Sequence, residues 1–278
     1  MQLIYNGNTF DATSDFLPLN RAFNFGDGLF ETIRILNGEI LFLSDHIQRL
    51  HLGMNALQLQ GSERFTPFFL HKQIIELSRI NQVTANGRVR ITIFRHGAGF
   101  YEPTTNETDY VLTCQPLASG YDWNESSYTV GLYTGIAKNV SAISSFKTLS
   151  SLCYVMAALH RKQMNWHDCL ISNSEGRIAD ATSSNVFFIE GENVYSPPVR
   201  DGGVDGIMRK RMIELLKKNG IYFEEKSISA NQLSLADEIF LTNVIFGIQP
   251  VTSFEGKNRL ISFTKKIFDS IITDIFPA

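Results

Sequence analysis

Apolar and polar positions alternate along much of the first 116 residues, and turn signals break the alternation into hairpins. Gln2 to Tyr5 reads as a short strand that Asn6-Gly7 turns back into Thr9-Phe10. A glycine-bracketed turn, Asn24 to Gly28, feeds a long alternating strand through Leu36, and Asn37-Gly38 returns it into Glu39 to Leu43. The period then changes. Ser44 caps a helix whose apolar positions Ile47, Leu50, Met54 and Leu57 share a face, with Arg49 in its first turn and off that face. Thr66-Pro67 starts a second helix, with proline at its first position, running to about Asn81. Strands follow at Arg88 to Arg95 and at Tyr110 to Cys114.

Leu117 to Ser127 is polar and turn-rich, with no period. It reads as an interdomain linker, 117–127, between an N-terminal α/β domain, 1–116, and a C-terminal α/β domain, 128–278. The second half opens on an apolar, strand-like run from Val130 to Ala142. The spacing of Leu152, Val155, Met156 and Leu159 predicts a helix over about Ser151 to Asn165 with those residues on one face. Strands are expected at Cys169 to Ser172, Ser184 to Glu190, Ile221 to Lys226 and Glu238 to Thr242. Helices are expected at Ile207 to Asn219, ended by Gly220, and at about Ser262 to Phe276. Strands and helices alternate in both halves, so the class is mixed α and β in two domains.

Composition narrows the classes. The chain has 278 residues, 44% hydrophobic and 19% charged, as a globular protein with a sizeable core requires. A net charge of -3, with dispersed basic residues, provides no field for nucleic acid or an anionic membrane. No apolar run approaches the roughly 20 residues of a membrane helix, and the N-terminal residues lack the basic start of a signal peptide. Cys114, Cys153 and Cys169 are scattered in apolar contexts and read as reduced core thiols of a cytoplasmic protein.

Four features carry candidate chemistry. Lys147 lies in Ser144 to Leu152, among small and apolar residues at a strand-to-helix junction. Desolvating its charge is costly, which pushes the amine toward the neutral state that a Schiff-base lysine needs. The glycine-rich stretch Arg200 to Gly206 opens the helix at Ile207, whose first-turn amides would suit a phosphate; an ordinary flexible loop is the plainer reading. Arg49 could complete such a cradle with a bidentate contact, or simply be solvated. Asp180 lies in an uncharged patch and needs a partner, or is a turn aspartate bonded to nearby backbone. The six histidines show no metal-ligand spacing, so no metal is expected. Gly26 and Gly28 lack the third glycine and the following helix of a dinucleotide fingerprint.

Taken together, Arg21 to Thr32, His46 to Leu50, Phe146 to Leu149, Asp180 to Phe187, Gly206 to Arg209 and Leu241 to Val251 resemble, in order, the class IV (fold type IV) pyridoxal-phosphate enzymes. That family includes 4-amino-4-deoxychorismate lyase, branched-chain aminotransferase and D-amino-acid aminotransferase. The resemblance implies a fold like that of D-amino-acid aminotransferase, an N-terminal α/β sandwich and a C-terminal barrel-like α/β domain that binds the cofactor. It implies pyridoxal 5'-phosphate as cofactor, with Lys147 as its Schiff-base lysine. Arg49, the amides at Ile207 and Met208, and the loop Thr242, Asn243 and Val244 would hold the phosphate. Asp180, with Asn185 five positions on, would meet the pyridine nitrogen, where the family usually has glutamate.

Phe25 to Arg34 and Leu241 to Val251 look most like the lyases, which release pyruvate and 4-aminobenzoate for folate synthesis. Ser150-Ser151-Leu152 departs from the Gly-Asn-Tyr of branched-chain aminotransferases and from the Asn-Arg common in lyases. A class IV transaminase, passing a branched-chain or D-amino acid's amino group to 2-oxoglutarate, is therefore the alternative, and a non-catalytic cofactor-binding protein a remote one. Arg95 and Arg34 are candidate contacts to the small-molecule amino substrate. The resemblance also implies a homodimer.

Overall fold

A Cβ at position 28 would lie 2.3 Å from the Ile93 carbonyl oxygen and 2.9 Å from Phe94 Cα. Only glycine lets the two strands run this close, and the first sheet is built around that approach. The computed structural model describes residues 1–12, 20–118 and 120–275, with side chains up to residue 271. It divides into two compact units, Met1–Gly120 with Phe146–Ser150, and Tyr121–Ser145 with Ser151–Ala278. Ser119 of the expected linker and Phe276 of the expected last helix lie outside the described residues.

The first unit contains β1 (Gln2–Tyr5), β2 (Asn8–Asp11), α1 (Arg21–Phe25), β3 (Gly28–Leu36), β4 (Glu39–Ile40), α2 (Leu43–Ala56), α3 (Pro67–Ile80), β5 (Gly87–Arg95) and β6 (Thr108–Pro116). The strands form one six-stranded antiparallel sheet in the order β2-β1-β6-β5-β3-β4. Helices α2 and α3 pack on it over a core that includes Ile33, Ile47, Leu50, Met54, Ile74, Leu77 and Ile91. Strand β3 departs from the simple alternation expected: it lies between β5 and β4, and Glu31, Thr32 and Arg34 are buried along with its apolar residues. Ser44 does not cap α2. The helix begins at Leu43, with Phe42 at its N-cap in a left-handed conformation (φ 53°), which moves Arg49 from the first turn to the second.

The second unit contains β7 (Thr129–Lys138), α4 (Leu152–Gln163), β8 (Asp168–Asn173), β9 (Ile178–Ala181), β10 (Asn185–Glu190), β11 (Asn193–Ser196), α5 (Ile207–Lys218), β12 (Phe223–Glu225), α6 (Ala230–Leu233), β13 (Glu238–Asn243), β14 (Gly247–Pro250), β15 (Ser253–Phe254), β16 (Lys257–Asn258) and α7 (Ser262–Ile275). Two five-stranded sheets result, β12-β11-β10-β13-β14 and β16-β15-β7-β8-β9. They share a core of Val130, Leu170, Ile178, Val186, Phe188 and Leu241. The pairs β7/β8, β15/β7 and β11/β12 are parallel, and the other described pairs in this unit antiparallel. The class is mixed α and β.

The shared apolar face of α4 does not pack into the core. Leu152, Val155, Met156 and Leu159 are 39–66% exposed, and the helix instead meets β7 and β8 on its other side, where Ala157 is fully buried.

Candidate active site

In the first unit the backbone around Lys147 is bonded to β3. Phe30 N–H donates to the Lys147 carbonyl at 2.8 Å, and Leu149 N–H donates to the Gly28 carbonyl at 2.9 Å. Leu29 and Thr148 form an antiparallel bridge. The Lys147 amine lies 5.2 Å from the centre of the Phe30 ring, whose guanidinium neighbour is Arg90 at 3.7 Å. The anchor of the lysine is therefore a strand-like attachment to the sheet, which no sequence period signals.

Behind the same strand, Glu31 receives two residues of α2. Arg49 Nε and Nη2 donate to its two carboxylate oxygens at 2.7 and 2.6 Å, and His46 Nδ1 lies 2.7 Å from Oε2. His46 and Arg49 are three apart, so they share one helix face. All three residues are buried. Burial alone would raise the Glu31 carboxyl, but the charge of Arg49 and the hydrogen bonds of both neighbours hold it at about 2. Burial lowers the His46 pKa against the opposing pull of Glu31, so the ring is neutral and donates through Nδ1. Arg49 is thus a buried, bidentate, oriented guanidinium and not a solvated one. Sequence reasoning missed Glu31 and His46. The signal available was an acid inside an apolar strand and a histidine one turn ahead of an arginine.

Arg95 is bonded within the first unit. Its Nε bonds Asp27 at 2.9 Å, Nη2 the Leu57 carbonyl at 2.7 Å, and Nη1 the Gln58 carbonyl at 3.3 Å and Asn106. Asp27 also accepts from Arg21 Nε at 2.7 Å, and Arg21 holds the carbonyl of Phe100 at 2.6 Å. Arg95 and Asp27 thereby fasten loops within the unit. Arg34 is buried in β3 and does not face solvent.

In the second unit Asp180 sits in β9 and is 2% exposed. Its Oδ2 accepts from Val204 N–H at 2.8 Å and from the Tyr154 hydroxyl at 2.9 Å, while Oδ1 accepts from Asn185 Nδ2 at 3.0 Å. Asn185 also donates to the Val204 carbonyl at 2.8 Å. One asparagine thereby joins the acid to the loop that opens α5. That loop has no room to vary: a Cβ on Gly206 would come within 1.8 Å of Asn185 Oδ1. Gly206 is the N-cap of α5 and, being glycine, offers no side chain to cap the first-turn amides. Ile207 and Met208 contribute those amides, with their side chains buried. Helix α5 packs on β13, where Thr242 Oγ1 is buried and has no hydrogen-bond partner among the described residues. Asn243 Oδ1 closes a turn by accepting from Ile245 N–H at 2.9 Å and Phe246 N–H at 3.0 Å, and the Val244 carbonyl accepts from Tyr121. The structure thus brings Asp180, Asn185 and Gly206 together in one unit, and Lys147 with the β3 cluster in the other.

A family model described as amino-transferase class IV matches residues 28–254. The D-alanine aminotransferase of Bacillus licheniformis is 27% identical over 266 residues, covering 92% of this chain and 89% of that protein. The aminodeoxychorismate lyase of Vibrio harveyi is 22% identical over 256 residues, 89% of this chain and 90% of that protein. In fold, the chain is similar to a branched-chain aminotransferase from Thermoproteus uzoniensis, with a TM-score of 0.87 at 22% identity over 99% of this chain and 94% of that one.

Proposed function

The chain belongs to the class IV aminotransferase family and is a pyridoxal-phosphate-dependent enzyme, and within that family we propose that it is a 4-amino-4-deoxychorismate lyase, releasing pyruvate and 4-aminobenzoate. The observation that carries this reading is the lyase-like pair of segments Phe25 to Arg34 and Leu241 to Val251, beside a lyase relative aligned over 89% of the chain.

Lys147 is the proposed covalent anchor of the cofactor. Its backbone bonds to Gly28 and Phe30 give the side chain a fixed origin, which favours a defined reach. Arg49, the amides at Ile207 and Met208, Thr242 and the Asn243–Val244 turn are the proposed phosphate ligands. Three features support this: a helix N-terminus whose N-cap is a glycine, a buried hydroxyl without a partner among the described residues, and a guanidinium oriented by Glu31. Asp180 is the proposed partner of the ring nitrogen, with Asn185 holding it in place. When bound, the cofactor supplies the electron sink for charge developing at the substrate carbon. The chain's share is proton transfer. In this reading the Lys147 amine takes the proton from the substrate carbon and later returns one to product.

Transamination is the second reading, favoured because the D-alanine aminotransferase relative is the more similar of the two, at 27% against 22% identity. A direct assay separates them: pyruvate from aminodeoxychorismate, against glutamate from 2-oxoglutarate with D-alanine or a branched-chain donor. Pyruvate release without transfer supports the lyase; the reverse overturns it. Purified protein that gains no visible absorbance with pyridoxal phosphate would overturn both, and Lys147→Ala should abolish the band. We further propose that the enzyme is a cytoplasmic homodimer. The exposed apolar face of α4 supports self-association, and the described residues include no helix long and apolar enough to cross a membrane.

A further inference from the structure

Two side chains beside Asp180 have no part in the reading above. Tyr154, on α4, gives its hydroxyl hydrogen to Asp180 Oδ2 at 2.9 Å. Lys138, at the end of β7, donates to the same hydroxyl, and its amine lies 4.2 Å from the centre of the Tyr154 ring. A phenol has one hydrogen and an acceptor oxygen. With the ammonium occupying the oxygen's acceptor side, the hydrogen is directed at the carboxylate. The chain of donors therefore runs one way, from Lys138 through Tyr154 to Asp180.

We propose that Tyr154 and Lys138 are positioning residues for Asp180, holding its buried carboxylate ionised and aimed for the ring nitrogen of the cofactor. The inference rests on the cofactor reading of Asp180 and deepens it. A carboxylate at 2% exposure requires compensation. Val204 N–H and Asn185 supply neutral dipoles; the Lys138–Tyr154 arm adds a positive charge that polarises its hydrogen bond. Burial, and then the charge of Asp180, push the Tyr154 phenol well above its ordinary pKa, so it remains a donor. Burial pulls the Lys138 amine down and Asp180 opposes that pull, so the acid and the amine stabilise each other's charge across the phenol. Lys138 thus acts on the acid through a neutral group, and its own ammonium does not compete with the ring nitrogen for the carboxylate.

A plainer role for the pair is to fasten α4 to β7, and the test must separate the two. The variants are Tyr154→Phe, which keeps the ring, Lys138→Met, which keeps the chain length, and Lys138→Arg, which keeps the charge. Each is titrated with pyridoxal phosphate by visible absorbance, and the Tm of the cofactor-free protein is recorded. Tyr154→Phe and Lys138→Met are expected to bind the cofactor about tenfold more weakly, the scale of one hydrogen bond to a charged group, with a displaced visible band. Lys138→Arg is expected to stay near wild type. Wild-type affinity and band in Tyr154→Phe, with only Tm lowered, would overturn the proposal, and an arginine variant that behaves like methionine would remove Lys138 from it. If Tyr154→Phe fails to fold, Lys138→Met carries the same readouts. Failure of the wild type itself to bind the cofactor would overturn the underlying reading, a different result from unaltered variants of a protein that binds.

Discussion

Glu31→Gln probes the buried cluster that orients Arg49. The carboxyl is held near 2 instead of its ordinary 4.5. At about 1.4 kcal/mol per pKa unit, that difference corresponds to roughly 3 kcal/mol of stability at neutral pH. The independent expectation for removing one partner of a buried pair is similar, about 3–5 kcal/mol, because Arg49 keeps its charge without its carboxylate. The pKa is depressed in the folded state, so the contribution is present above about pH 4.5 and is lost as pH falls toward about 2. Urea unfolding at pH 7 should show a lower midpoint for Glu31→Gln, equivalent to about 3 kcal/mol. Between about pH 5 and pH 2 the wild type should lose stability that the variant has already lost, so the two curves converge. A deficit under about 1 kcal/mol at pH 7, or curves that stay parallel down to acid, would refute the assignment. Replacing both residues, Glu31→Leu with Arg49→Met, should recover much of the stability, since a buried pair costs its own desolvation. It should not recover affinity for pyridoxal phosphate, which separates the architectural role of the pair from its proposed ligand role.

Three other perturbations follow from single contacts. Gly206→Ala puts a methyl 1.8 Å from Asn185 Oδ1, so the α5 entry must shift; a loss of about 1–3 kcal/mol and weaker cofactor binding should appear in thermal melts and absorbance titrations, and a variant that is wild type in both would contradict the crowding. Thr242→Val removes a buried hydroxyl that has no partner among the described residues. The cofactor-free protein should be as stable or about 1 kcal/mol more so, while cofactor affinity falls; lost stability with intact affinity would show the hydroxyl to be structural. Leu159→Glu places a charge on the exposed α4 face and should shift a dimer toward monomer in light scattering, whereas an unchanged mass would exclude that face from the interface.

Much of the architecture was legible along the chain because period is a local property. The helix from Pro67, with Thr66 capping it, and the strand Gly87–Arg95 appear within a residue of where alternation and capping put them. Short pieces escaped: β9, which carries Asp180, has four residues, too few for a period to register, and its pairing with β8 is what makes it a strand. Ser44 was a sound cap by residue type, but α2 begins at Leu43, with the Phe42 carbonyl accepting from His46 N–H at 3.1 Å.

The sequence by itself determined the residue types that chemistry requires. One lysine stands at a junction, a glycine precedes a helix, and an acid lies in an uncharged patch, in an order that resembles a single enzyme family. Tertiary structure alone decided which neighbours give those residues their properties. Glu31 and His46 turn Arg49 from a surface cation into an oriented guanidinium. Asp27 and the carbonyls of Leu57 and Gln58 tie Arg95 into the first unit. Tyr154, 26 positions from Asp180, reaches its carboxylate because α4 packs on the sheet that contains β9. The physical reason is range: propensity and period act within one element, whereas charge compensation, desolvation and close backbone approach act between elements whose separation along the chain carries no trace of their contact.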